Sequence, residues 1–285
     1  MSRKKKRYSV VKSSGEVSEF SEEKIRNSLK KTGADQQTIE KIVNKIKEKK
    51  LDEFPTKNIY KIAYQTLKES SRTSASKYHL KNGIMELGPS GYPFEEFISE
   101  ILSHQGYITE VGIIVEGFCV SHEIDVIAQK ENKHFMIECK YHNLPGIVSD
   151  VKIPLYIFAR FLDVEKQWKK LSGHQKKFHQ GWIVTNTRFT SDAIKYGACS
   201  GLHLVSWDYP KGDSLREQID RLGLYPITCL TTLSKHEKEI LLGMRVVLCK
   251  TLCDKPELLV EAGIPKERRI LIESEARALC EKLGT

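Results

Sequence analysis

Two carboxylates and an ammonium stand within sixteen residues of one another on what reads as a single β-hairpin. Asp125 lies in Glu123-Ile124-Asp125-Val126-Ile127-Ala128-Gln129, and Glu138 and Lys140 lie in His134-Phe135-Met136-Ile137-Glu138-Cys139-Lys140. Lys130-Glu131-Asn132-Lys133 between them is polar, so two apolar strands joined by a turn is the economical reading. Strand side chains alternate, which puts Glu138 and Lys140 on one face and Ile137 and Cys139 on the other. Asp125 can face the same way from the partner strand. Charges gathered on an apolar sheet are costly unless they pair or hold a cation. Two carboxylates offer the oxygen ligands that Mg²⁺ prefers and leave positions for water and a phosphate oxygen. A metal there activates water and offsets charge on phosphorus, and a lysine can position or deprotonate the nucleophile. Phosphodiester hydrolysis uses this set. The competing reading is a structural salt bridge between Glu138 and Lys140 on a solvent-facing strand.

Around the hairpin, the run FEEFISEILSHQGY ends in Gly106-Tyr107, EIDVIA holds Asp125, and FMIECK holds Glu138 and Lys140. WIVTN follows, then a helix and LHLVSW. In this order and spacing the chain resembles the PD-(D/E)xK nuclease superfamily, specifically its Mrr-type restriction endonuclease domain, over about 91–208. The resemblance implies that Glu95 is a helix acid supporting the metal site, that Asp125 and Glu138 are ligands of Mg²⁺ or Mn²⁺, and that Lys140 is the catalytic lysine. The glycine-rich lead-in usual before the aspartate is replaced by Ser121-His122-Glu123, which adds a further acid.

The elements that must position these residues follow from periodicity. Leu87-Gly88-Pro89-Ser90-Gly91 is the clearest boundary. Beyond it Phe94, Phe97, Ile98, Ile101 and Leu102 form one apolar helical stripe. Extended segments are expected at 107–111, 123–129 and 133–140, a helix over 151–170, a buried strand at 181–185, a helix over 191–198 and a closing strand at 202–207. Such an alternation is a mixed α/β core, here 91–210. After Pro210-Lys211-Gly212 the pattern is helical, defining a module at 213–285. Ile240, Leu241, Met244, Val247 and Leu248 share a helical face there, and the last helix ends near Leu283. A helix-hairpin-helix-like DNA element and a plain packing bundle are both compatible with this module.

Before the boundary, short strands are expected at 8–12 and up to Phe20. Ser21 caps a helix carrying Ile25 and Leu29, Ile39, Ile42, Val43 and Ile46 line a second, and Pro55-Thr56 starts a third. VVKSSGEVSEFSEEKI and FPTKNIYKIAYQTL resemble the ATP-cone, a mostly helical nucleotide-binding regulatory domain, over 8–86. That resemblance implies ATP or dATP as an allosteric ligand contacted by Lys12, Lys24 and Thr56. Lysines and a hydroxyl near helix N-termini suit a triphosphate.

A surplus of 46 Lys and Arg over 37 acids gives a net charge of +9, which points to a polyanionic partner, here DNA. Arg3-Lys4-Lys5-Lys6-Arg7 is a DNA-contacting arm or a solvated tail. With no apolar run of membrane length and no signal-peptide core, the expected location is the cytoplasm. Seven scattered cysteines fit a reducing compartment; Cys249, Cys253 and Cys280 lack the paired spacing of a zinc site. The function expected is a metal-dependent DNA endonuclease of restriction or repair type, regulated by nucleotide and working as a homodimer or larger assembly. The alternative is a catalytically silent, nucleotide-responsive regulator that binds nucleic acid.

Overall fold

The computed structural model describes residues 8–12, 15–49, 54–170 and 178–281. The basic run Arg3–Arg7 lies outside them. The first module opens with strands β1 (Ser9–Val11) and β2 (Val17–Glu19), followed by helices α1 (Glu22–Lys30) and α2 (Gln36–Lys47). Ser21 caps α1 by accepting from the Lys24 N–H, and Asp35 caps α2 through Thr38. A two-residue strand, β3 (Phe54–Pro55), pairs parallel to β1 and completes a three-stranded sheet. The sequence reading had no strand there, because two residues carry no alternation to detect. Helices α3 (Thr56–Ser70) and α4 (Arg72–Met85) close the module. Ile39, Ile42, Val43 and Ile46 of α2 are all buried, packed with Leu29, Ala63 and Leu67.

Helix α4 is the element that periodicity missed. Its buried residues, Ser74, Ala75, Ser76, Leu80, Gly83 and Ile84, do not form one apolar stripe. The reason is that α4 is covered from two sides. Ala75 belongs to the first module's core, whereas Leu80 and Ile84 belong to the core shared with the rest of the chain. Gly83 permits the close approach: a Cβ there would lie 2.7 Å from the Cys229 Sγ and 3.3 Å from the Cys229 N. Thr228 Oγ1 donates to the Gly83 carbonyl at 2.6 Å across the same contact.

The central module begins with α5 (Tyr92–His104), whose stripe Phe94, Phe97, Ile98, Ile101 and Leu102 is buried as its spacing requires. Strands β4 (Ile108–Glu116), β5 (Ser121–Lys130) and β6 (Lys133–Lys140) form an antiparallel meander. Next come β7 (Val148–Ser149), α6 (Lys152–Trp168), β8 (Phe178–Thr185), β9 (Arg188–Phe189), α7 (Ser191–Ser200) and β10 (His203–Val205). The main sheet has the order β10-β8-β6-β5-β4, with β6, β8 and β10 parallel. Short β7 and β9 pair separately. Helix α5 packs with Val126, Ile137 and Val184, while α6 packs with Met136, Phe161 contributing, and with Ile183. Helices therefore sit on both sheet faces, the layered arrangement expected of mixed α/β structure. Strand β4 runs five residues beyond its expected end at Val111, past Gly112.

The third module contains α8 (Leu215–Leu222), a 3-10 turn at Ile227–Cys229, α9 (Lys235–Gly243), α10 (Cys249–Asp254), α11 (Leu258–Glu261) and α12 (Lys266–Cys280). The expected single face from Ile240 to Leu248 is corrected: α9 stops at Gly243 and Arg245 turns left-handed at φ 61°. Val246, Val247 and Leu248 then run extended into the core, with Pro226 bridging Leu248. Three apolar residues in a row fit helix or strand equally, and only the turn decides. The last helix ends at Cys280, three residues before the position expected, and Leu283 lies outside the described residues. No helix among the described residues is long and apolar enough to cross a membrane.

Candidate functional site

Asp125 sits where the sheet is broken on both sides of its strand. The β5–β6 ladder runs from Lys130↔Lys133 to Val126↔Ile137 and stops there. On the other side β4 pairs Val111↔Val126 and Ile113↔Ile124, skipping Gly112, the residue opposite Asp125. Gly112 has φ 66°, a left-handed backbone that suits glycine and kinks the strand. The N–H of Cys139 donates instead to the Asp125 Oδ2 at 2.7 Å. One carboxylate oxygen thus takes the place of a ladder carbonyl where the two strands part.

Glu138 and Lys140 share a face of β6, as alternation requires, and Ile137 and Cys139 are buried on the other. The expected alternative of a Glu138–Lys140 ion pair is not what forms. Arg160 of α6 reaches Glu138 Oε2 through Nη1 at 2.6 Å, both side chains being 12% exposed, and also donates to the Glu123 carbonyl. Arg160 in turn lies over the Tyr156 ring, 5.5 Å from its centre. Among the described residues no carboxylate pairs with the Lys140 ammonium, which leaves it available to a ligand. Its backbone is fixed by Thr185, whose hydroxyl donates to the Lys140 carbonyl at 2.7 Å. Asn186, fully buried, accepts from the His142 N–H and donates to the His142 carbonyl, holding the chain just after Lys140.

Glu95 in the first turn of α5 senses this cluster. Burial, followed by the charges of Asp125, Glu123 and Glu138, pushes its carboxyl up to about 7. Burial also raises Asp125 and Glu138; the Cys139 N–H and Arg160 oppose the rise at Asp125, and Arg160 and Lys140 oppose it at Glu138. The structure therefore brings Glu95, Asp125, Glu138 and Lys140 together, with Glu123 and Arg160 beside them. Arg160 and Asn186 were missed by sequence reasoning. Arg160 carried no signal on a helix of mixed character, while the polar Thr185-Asn186 ending an apolar strand was a detectable one.

Fully ionised, Glu95, Glu123, Asp125 and Glu138 outweigh Lys140 and Arg160 by two negative charges. A divalent cation would offset that difference, and Mg²⁺ typically takes one or two carboxylates and fills its other positions with water. Asp125 and Glu138 fit this donor set, with Glu138 sharing or releasing Arg160. Among the described residues no three His, Cys, Asp or Glu side chains already form a metal centre. Cys249 is buried in the main apolar core, and half-buried Cys253 and Cys280 pack against it.

Removing Arg160 tests the electrostatics independently of any reaction. Arg160→Met leaves the Glu138 carboxylate half-enclosed without its partner, at an expected cost of about 3 kcal/mol near pH 8. Glu138 already has a folded-state pKa above its ordinary 4.5, so ionising it costs stability as pH rises through that interval. The deficit of the variant should therefore be smaller at pH 5 than at pH 8, since a falling pH favours the protonated carboxyl. Chemical denaturation at the two pH values reads the difference.

In the first module a second concavity of about 650 Å³ is lined by Lys12, Thr56, Lys57, Tyr60 and Asn82. Lys12 leaves β1 and Thr56 opens α3, so an ammonium and a helix N-terminus face one space. Lys24 does not join them; it lies in the first turn of α1 and is absent from this lining. Of the expected trio Lys12 and Thr56 line this space, together with Lys57, Tyr60 and Asn82, which sequence reasoning did not single out. Pro145, in the segment after β6, also lines the space.

Comparison with known proteins agrees with the first module and names the last. Residues 8–80 match the ATP cone domain, and residues 225–280 match the family described as AF1548-like, C-terminal. An uncharacterized protein of Archaeoglobus fulgidus is 36% identical over 181 residues, covering 63% of this chain and 98% of that protein. A crystal structure described as that of a protein of unknown function, AF1548, is 35% identical with a TM-score of 0.56, spanning 67% of this chain and 98% of its own. The chain thus carries an ATP-cone domain at its N-terminal end and belongs to the AF1548-like family.

Proposed function

We propose that this protein is a metal-dependent endonuclease that hydrolyses DNA phosphodiester bonds and is regulated by nucleotide bound to its cone. The observation that carries the reading is the convergence of Glu95, Asp125, Glu138 and Lys140, which has no carboxylate partner among the described residues, at the parting of β5 and β6. A divalent cation held by Asp125 and Glu138 would supply Lewis-acid activation of water and of the scissile phosphate. Lys140 places its ammonium where negative charge grows on the phosphoryl oxygens, and the carbonyl-to-hydroxyl contact with Thr185 keeps it aimed. Glu95, with a carboxyl near neutral pKa, can take a proton from the attacking water on a carboxylate oxygen. Arg160 keeps Glu138 oriented. Cutting of plasmid, branched and modified DNA in Mg²⁺, compared side by side, tests the reading and separates restriction from repair substrates.

Nucleotide enters through the ATP-cone. Lys12 and Thr56 bind the phosphates, and Pro145 places the segment five residues beyond Lys140 against the same space. Nucleotide regulates only if it binds two states of the protein unequally, and a homodimer or larger assembly, with one cleavage centre per strand of duplex, offers such states. Calorimetry with ATP and dATP should show binding that Lys12→Ala or Thr56→Ala weakens roughly tenfold, the worth of one charge-assisted contact. Lys24→Ala should change little, since its side chain is not in the lining. A loss at Lys24 equal to that at Lys12 would contradict the assignment.

A further inference from the structure

A concavity of about 840 Å³ lies where all three modules meet. Lys31 and Lys77 come from the cone, Arg188 from the central module, and Lys211, Arg216 and Arg221 from the chain leading into and forming α8. Three of its four acids, Asp208, Glu217 and Asp220, are occupied, and Glu281 is the fourth. Asp208 pairs with Arg188 at 2.8 Å, Asp220 accepts from Tyr225 at 2.9 Å and lies 3.6 Å from Arg216, and Glu217 caps α8 through Ser214. Among the described residues no carboxylate stands within ion-pair distance of Lys31, Lys77 or Lys211. Lys77 and Lys81, one turn apart on α4, instead place their ammoniums over aromatic rings, 5.9 Å from Tyr225 and 5.7 Å from Trp207.

Position links this groove to the cleavage centre. Strands β6, β8 and β10 are parallel, so Lys140, Thr185 and Val205 all end at one sheet edge, with Lys140 opposite Thr185 and Val184 opposite Val205. Arg188 follows Thr185 by three residues, and Trp207, two residues past Val205, donates its N–H to the Thr187 carbonyl at 2.9 Å. Two strand spacings separate β6 from β10, about 10 Å. Phosphates advance about 3.4 Å of axis each along one nucleic-acid strand, so about three of them span the separation of β6 from β10.

We propose that the three-module groove is a phosphodiester-binding track that holds nucleic acid beyond the cleavage centre, an assignment that rests on the DNA-cleavage reading of the central module. Lysines not committed to carboxylates make contacts of the kind that release counterions from a polyanion. Three modules contribute, so DNA in the track also fastens the cone to the body of the chain. A free nucleotide bears the same phosphate chemistry and is the other source to separate.

The test measures fluorescence anisotropy of a labelled DNA duplex with the full chain in EDTA, so that cutting does not enter, over a series of salt concentrations. Lys31→Glu with Lys211→Glu changes two exposed side chains with no ion pair among the described residues, so the fold is expected to hold, with circular dichroism as the check. Affinity should fall roughly tenfold or more, and the log–log salt slope should fall by about 2. Calorimetry with ATP should be unchanged in the same variant. Unchanged DNA affinity and slope would overturn the track, as would loss of ATP binding with DNA binding retained. If wild-type protein fails to cut DNA in Mg²⁺ yet the variant loses affinity, the track stands and the cleavage reading falls.

Discussion

Lys140→Ala should abolish DNA cleavage while leaving DNA affinity close to that of the wild type. The ammonium sits among carboxylates at the point where β5 and β6 separate and has no carboxylate partner among the described residues. Its contribution belongs to the transition state, where charge grows on the phosphoryl oxygens, rather than to ground-state binding. Loss of one such group typically costs about 10²–10³ in rate, which takes slow cutting below detection. Asp125→Ala and Glu138→Ala should fail differently, by weakening metal binding, so raised Mn²⁺ or Mg²⁺ should recover part of their activity and none of that of Lys140→Ala. Asp125→Ala also removes the acceptor of the Cys139 N–H, and a drop in thermal stability should accompany it. Purified Lys140→Ala cutting at the wild-type rate would show that the site is elsewhere.

Glu275→Ala should be among the most destabilising single changes in the chain. Glu275 of α12 is 5% exposed and receives four hydrogen bonds. Ser76 Oγ of the cone helix α4 donates at 2.7 Å, the N–H groups of Thr231 and Thr232 at 2.9 and 3.0 Å, and Thr232 Oγ1 at 2.7 Å. Alanine strands all four donors, the Ser76 hydroxyl in a buried place and those of Thr231 and Thr232 in a half-buried one. Each buried donor without a partner costs about 1–3 kcal/mol, so a loss of about 4 kcal/mol is expected even after local relaxation. Glu275→Gln keeps the shape and one acceptor oxygen but turns an amide toward donors, and should cost roughly half as much. Because Ser76 belongs to the cone, denaturation followed at cone and central-module probes should split into two transitions in the alanine variant. One coincident transition at the wild-type midpoint would contradict this role.

How much of this was legible beforehand depended on how one-sided each element's environment is. Helix α5 buries a single face, so Phe94, Phe97, Ile98, Ile101 and Leu102 announced it by spacing alone. The β5–β6 hairpin was equally plain, because Glu138 and Lys140 alternate with Ile137 and Cys139 around a polar turn. Helix α4 was invisible for the opposite reason: cone and third module cover it from two sides, and small residues such as Ser76 and Gly83 replace an apolar stripe. Arg160 could not be found either, since its pairing with Glu138 spans 22 positions and depends on how α6 crosses the sheet. The first strand is expected to end at Val111, although a glycine inside an alternating run is also the mark of a kink, which is what Gly112 makes opposite Asp125. Lys24 is grouped with Lys12 and Thr56 by resemblance alone; it stands in the first turn of α1, while Lys12 and Thr56 line the concavity.

The most direct measurement is conversion of supercoiled plasmid by purified wild-type protein in Mg²⁺, followed on a gel against the same protein in EDTA and against Lys140→Ala in Mg²⁺. Nicked or linear DNA is expected in the first reaction and in neither of the others. Plasmid that stays supercoiled with wild-type protein across Mg²⁺ and Mn²⁺, with and without ATP or dATP, would contradict the cleavage reading. Cutting by Lys140→Ala at the wild-type rate would do the same.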